Sequence, residues 1–160
     1  MSEFPARVRL SRAKGFRLQE HAPGAIVVRR PTKWGNPFTV ADALAGDPTL
    51  TLTEVRRRCV EHFELWLDGE IERLAHVEQR AWILHHLDYL TGRPLACTCP
   101  LPGSGEIDWC HARVLIERSN EPAGTIPPLT TAWASVHAPG PVPIRPRETV
   151  RLSRDLAHLL

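Results

Sequence analysis

No stretch of this 160-residue chain approaches the roughly 18 consecutive apolar residues that a membrane-spanning helix needs. Its opening, MSEFPARVRL, has no apolar core of the secretory-leader kind. There is little surplus charge. Twenty Lys and Arg against 18 Asp and Glu leave +2, too small to argue for nucleic acid on bulk charge alone. Also missing are GxGxxG, a phosphate-binding P-loop, the GxSxG nucleophile elbow and any internal repeat. The expectation is a soluble cytoplasmic protein with no membrane partner. In a reducing compartment, cysteines serve as thiols, metal ligands or catalysts more often than as structural disulfides.

What is present is enough for one domain with a real core, since 42% of the residues are hydrophobic. Arg7–Leu10 alternates as a half-buried strand does, and Ala25–Val28 is a β-branched run that predicts a buried strand. Pro31 disfavours its continuation, and Thr32–Phe38 reads as a loop from its Gly, Asn and Pro. Thr51 and Glu54 have capping-box spacing ahead of Val55, Cys59, Val60, Phe63, Trp66 and Leu67 at helical spacing. Gly69 interrupts, and a second helix is expected to carry Leu74, Val77, Ala81, Leu84, Leu87 and Leu90 as far as Gly92. Pro94–Cys97 predicts a further buried strand, and a helix is expected to open near Cys110 and His111. Seven prolines between residues 121 and 147 predict an extended segment. Trp133 is expected to pack back on the body, and Glu148–Leu160 to form a short helix. The fold class is therefore α/β: one small domain over residues 1–119, a short sheet flanked by helices, with a proline-rich extension over 120–160.

Two ends of this domain carry chemistry. The first is Cys97, Cys99, Cys110 and His111. On a strand, Cys97 and Cys99 put both sulfurs on one face. Three sulfurs and an imidazole form a donor set suited to tetrahedral zinc, the cofactor this reading implies. A catalytic reading is also open. A thiol at a helix start lies beside free N–H groups and the positive dipole end, which favour thiolate, and His111 can move protons. As a third reading, free cysteines are often small buried hydrophobes. The second end is basic: Lys14, Arg17, Arg29, Arg30 and Lys33 precede Trp34, Gly35, Asn36 and Phe38. Arginine offers a planar fork to phosphate or carboxylate, Gly35 permits close backbone approach, and Trp34 and Phe38 could stack on a ring. Glu54 and Glu61, seven apart, could share a face toward one cleft.

The stretch from Arg7 to Arg17, the KWGNPF of Lys33–Phe38, and the CxC of Cys97–Cys99 with Cys110-His111-Ala112 resemble domain-of-unknown-function family 4326, over roughly residues 7–119. The cysteine end is more distantly similar to domain-of-unknown-function family 488, which implies a Rossmann-like α/β domain. The GNPF segment is faintly similar to the NADAR superfamily, linked to N-glycosidic bond cleavage. None of these resemblances supplies a settled reaction.

The leading expectation is an enzyme acting on a small phosphorylated or nucleoside-like ligand. The basic loop (Lys14, Arg17, Arg30, Lys33, Trp34, Gly35, Asn36, Phe38) would hold it, with Cys110 and His111, beside Cys97 and Cys99, at the reactive end. The reaction would be N-glycosidic hydrolysis or cysteine-based transfer. The alternative is a non-catalytic nucleotide or nucleic-acid reader with a Cys97, Cys99, Cys110, His111 zinc site. A third is an interaction module that uses the proline-rich tail. All three are sharpest if the basic bend and the sulfur-bearing turn share a hollow, although some sixty residues separate them along the chain.

Overall fold

A computed structural model describes residues 4–121. The predicted extension, the packing of Trp133 and the terminal helix lie outside the described residues.

The chain is a mixed α/β domain organised on one strand, β3 (Leu95–Cys97). All three of its residues are buried. Strands covered on both faces read as continuous apolar runs, which is how this one reads. It pairs in parallel with β1 (Arg7–Arg9) on one side and β2 (Ile26–Val27) on the other. Arg9 lies opposite Cys97 and Val27 opposite Ala96. One more rung follows on each side: Leu10 N–H donates to the Cys97 carbonyl and Val28 N–H to the Ala96 carbonyl, each at 2.9 Å. Because the three strands run the same way, their carboxyl ends open on one edge. Parallel neighbours cannot be joined by a tight turn. The chain therefore travels from β2 to β3 through α2 (Val40–Gly46), α3 (Leu52–Asp68) and α4 (Val77–His86). A short α1 (Leu18–His21) links β1 to β2, and α5 (His111–Asn120) follows β3.

The predicted α3 forms with its capping box. The Thr51 hydroxyl accepts from Glu54 N–H, and the Glu54 carboxylate accepts from Thr51 N–H at 2.8 Å. Its buried face is Val55, Cys59, Val60, Phe63, Trp66 and Leu67, and Gly69 ends it in the left-handed region at φ 80°. Phe63 and Trp66 are almost wholly buried, each stabilising the fold by about 2–3 kcal/mol. A second capping box, Thr39 with Asp42, starts α2, which the apolar spacing had not indicated.

The second predicted helix is corrected. Residues 74–76 and 87–90 are tight 3₁₀ turns at either end of α4. Leu74, Val77 and Leu84 are exposed, whereas Ile83 and Leu90 are buried and Trp82 and Leu87 pack against the core. Leu87 and Leu90 pack inward as expected; the misassigned positions are Leu74 and, within α4 itself, Val77, Ala81 and Leu84, where the inward face runs through Trp82 and Ile83. No helix among the described residues is long and apolar enough to cross a membrane.

The loop after β2 is fastened from three sides. Asn36 is buried, and its amide donates to the Cys59 carbonyl on α3 at 2.9 Å while accepting from Phe38 N–H at 2.8 Å. Gln79 on α4 donates to the carbonyls of Lys33 and Gly35 at 2.9 and 2.7 Å. Trp34 enters the core edge-on to Trp82, with ring centroids 4.8 Å apart. At Gly35 a Cβ would meet Arg30 N at 2.9 Å and Arg30 Cα at 3.0 Å, so only glycine lets the loop close on itself. Asn36→Ala removes both amide bonds from a buried site. It is expected to lower the unfolding free energy by about 1–3 kcal/mol, read as a shifted urea midpoint at unchanged slope; an unshifted midpoint would refute the fastening role.

Candidate functional site

Cys97 and Cys99 end and follow β3, and Cys110 is the N-cap of α5 in extended backbone (φ −132°, ψ 134°). The strand delivers the first two and a long loop brings the third back. The three Sγ atoms all lie within 4.8 Å of one another, with Cys97 and Cys99 at 3.7 Å. Cys97 and Cys110 are buried and Cys99 half-buried.

Three thiols this close cannot titrate independently. Cys97 is held far below the ordinary thiol value by its hydrogen-bonded contacts with Cys110 and then Cys99, which outweigh burial. Cys110 moves far upward: it gives its proton toward Cys97 and Cys99 and is itself buried. At Cys99 the hydrogen bond from Cys110 pulls down, but the bond to Cys97, burial and the Cys97 charge together push it above the ordinary value. The helix-start argument had placed the easily ionised sulfur at Cys110. Three facing thiols share that ionisation, so it belongs to the cluster and not to one helix-start residue.

His111 stands outside the sulfur group. It is buried, and burial holds it below the ordinary imidazole value against the opposing pull of the Cys97 charge. As the neutral ring, its Nε2–H donates to the Val28 carbonyl at 2.9 Å. It also meets Phe63 edge-on with centroids 5.5 Å apart. Of the four donors expected from the sequence, the three sulfurs converge, and His111 stands outside their group with its Nε2 on the Val28 carbonyl just past β2.

The loop carrying Cys110 back is tethered by Arg7. This guanidinium, whose side chain is 5% exposed, pairs with Asp108 and donates to the carbonyls of Cys99 at 3.2 Å and Pro100 at 2.6 Å. Sequence reasoning treated Arg7 only as the polar half of an alternating strand. Its burial beside a returning loop is a tertiary fact with no local signal.

The basic bend and the sulfur turn do meet. A cavity of about 260 Å³ lies at the carboxyl edge of the sheet, between Arg29, Arg30, Asn36 and Phe38 on one side and Cys97, Cys99, Cys110 and His111 on the other. Adjacency of β2 and β3 is the reason: Val28 and Cys97 leave the sheet side by side. Open α/β folds bind ligands at this edge. Arg56, Cys59 and Val60 of α3 complete the wall, with Val40, Thr98 and Trp109. Arg56 was missed, although helical phase could have found it: it precedes Cys59 and Val60 by three and four residues, on the same face. No carboxylate of the described residues lines the cavity, and Arg29, Arg30 and Arg56 have no ion pair among them.

The other candidates fall elsewhere. Lys33 and Gly35 line a second hollow of about 580 Å³ with Arg73, His76 and Gln79, to which Arg30 also contributes. Lys14 and Arg17 are exposed and line neither. Trp34 is core, and the Asn36 amide is occupied by the backbone. Phe38 meets His62 and Trp66 edge-on and keeps a face on the cavity wall. Glu54 caps α3 and Glu61 pairs with Arg57 at 3.7 Å, so neither reaches the cavity.

Fold and site together define a small parallel α/β domain with a cationic, sulfur-floored hollow at its carboxyl edge. The family model described as Domain of unknown function (DUF4326) matches residues 8–121, and the chain belongs to that family. No curated protein and no solved structure matches it.

Arg7→Lys keeps a charge but loses the fork that reaches three partners. It is expected to cost about 1.5–3 kcal/mol, the worth of a hydrogen bond from a charged group, since the ammonium cannot reach Asp108 and both carbonyls together. It should also speed labelling of Cys97 and Cys110 by a thiol reagent, followed by peptide mapping with Cys59 as internal reference. Unchanged labelling would show that Arg7 does not hold the loop.

Proposed function

We propose that this protein is an enzyme acting on a small phosphorylated or nucleoside-like molecule, whose anionic group is held by Arg29, Arg30 and Arg56 above the cysteine cluster. The observation that carries this reading is the cavity lining itself: three arginines without ion-pair partners and no carboxylate, over a floor of thiols. An arginine fork matches phosphate or carboxylate oxygens two at a time, and a wall of one sign concentrates anions. Phe38, which also carries the Arg73 guanidinium over its ring, and Trp109 line the cavity where a ring or sugar would lie.

Of the two reactions considered, sulfur-based group transfer is favoured over N-glycosidic hydrolysis. Stabilising a cationic sugar or activating water at a glycosidic carbon calls for a carboxylate, and Glu54 and Glu61 are committed elsewhere. Against a nucleic-acid reader stands the placement of the arginines, which converge on one hollow instead of forming a stripe. The finer reading of the fold as Rossmann-like, with nucleotide-type ligands at the strand ends, belongs to the same proposal, as does a cytoplasmic setting in which the thiols stay reduced.

Calorimetric titration with a panel of sugar phosphates and nucleoside monophosphates tests this. Arg30→Ala and Arg56→Ala are each expected to weaken binding about tenfold or more, since a hydrogen bond to a charged group is worth roughly 1.5–3 kcal/mol. Affinity should fall with added salt, and Lys14→Ala should leave it unchanged. Equal binding of the matching unphosphorylated compounds, or indifference to both arginines, would remove the reading.

A further inference from the structure

We infer that Cys97, Cys99 and Cys110 hold one zinc ion through their three sulfurs, with the fourth coordination position left open toward the arginine-lined hollow. The geometry carries this. Three sulfurs from two elements, the end of β3 and the start of α5, converge within 4.8 Å, and Cys97 and Cys99 stand 3.7 Å apart. Thiolates about 2.3 Å from a tetrahedral zinc lie about 3.8 Å from one another. The chain bends directly after Cys97, the last residue of β3, and that bend brings the Cys99 sulfur back beside the Cys97 sulfur.

The donor set also selects the metal. Three soft thiolates suit zinc and disfavour calcium or magnesium, which take oxygen ligands. Structural zinc sites close with a fourth protein ligand, whereas catalytic ones keep a position for water or substrate. Among the described residues no fourth histidine, cysteine or carboxylate joins the group. His111 is engaged by Val28, and Cys59 lines the same hollow outside the cluster. Three thiolates and a divalent zinc carry a net charge of −1. Arg7, bonded to the Cys99 carbonyl, and the first-turn N–H groups of α5 stand where they offset it. All three cysteines line the cavity, so the open position faces the place where the proposed anion sits. The inference rests on the proposed function only for what enters that position; the metal itself does not depend on it.

The experiment uses the full chain, purified without chelator and analysed for metal, then exchanged with cobalt. One zinc per chain is expected. The cobalt form should show sulfur-to-metal charge-transfer absorption and tetrahedral visible bands, and inorganic phosphate should shift those bands. Cys59→Ser should keep the metal, and Cys110→Ser should lose it on desalting. If Cys110→Ser does not fold, X-ray absorption on the unaltered zinc protein still decides: three sulfurs and one lighter atom that exchanges with added ligand support the site. Folded metal-free protein in which all three cluster thiols react, a Cys97–Cys99 disulfide in their place, or a fourth ligand from the protein would overturn it. Arg30→Ala and Arg56→Ala should retain zinc. Zinc without arginine-dependent binding defeats the phosphate reading alone, and arginine-dependent binding without zinc defeats this inference alone.

Discussion

The parallel pairing of β3 between β1 and β2 is the constraint on which everything else hangs. A strand buried on both faces must give every backbone group a partner within the sheet. Here the partners come from segments far apart in sequence, and each edge strand contributes one functional element as it leaves. β2 releases Val28 and then the two arginines, β1 carries Arg7, and β3 releases Cys97 and Cys99. Moving β2 to the other side of β1 would place the same residues beyond reach of one another. The site is a consequence of strand order before it is a consequence of any side chain.

Electrostatics then divides the labour among the arginines. Arg7 is buried, paired with Asp108 and saturated by two carbonyls, so it fixes geometry. Arg29 and Arg30 are exposed on a loop, and Arg56 is half-exposed on α3; all three line the cavity without an ion-pair partner among the described residues, Arg29 donating only to the Arg30 carbonyl. A guanidinium whose hydrogen bonds are all internal holds a fold together, and one that faces a hollow unpartnered is available to a ligand. Asn36 belongs with Arg7: both of its amide functions are consumed by backbone, so it holds the loop's shape, while Arg30 lies on the cavity wall.

How much of this was legible in the sequence follows from the range of the interactions. β3 and α3 were readable because their signals are local: an unbroken apolar run, and a Thr51–Glu54 cap followed by a 3.6-residue stripe. The inward face of α4 was misread because Val77, Ala81 and Leu84 also keep helical spacing, and nothing local marks Trp82 and Ile83 as the side chains that meet the core. The convergence of three cysteines could be anticipated from Cys97 and Cys99 on one strand face and Cys110 at a helix start. The loss of His111 from that set could not, because its partner, the Val28 carbonyl, lies 83 residues away. Arg7 was invisible as a tether for the same reason, its loop partners being about a hundred residues distant.

Cys59 shows why the cluster of three is more than apolar filling. It lines the same cavity, it is buried, and burial raises its thiol above the ordinary value, the behaviour of an isolated thiol in a poor dielectric. Were Cys97, Cys99 and Cys110 merely packed in the same way, they too would stand apart, each against carbon. Instead they abut one another where methyl groups would fill the space at no electrostatic cost, and a separate buried arginine holds the returning loop in place. Three mutually facing sulfurs are a poor way to build a core and a direct way to present soft donors to one point. That point lies on the wall of the cavity that also gathers Arg29 and Arg56, so the three sulfurs and these guanidiniums border the same small volume.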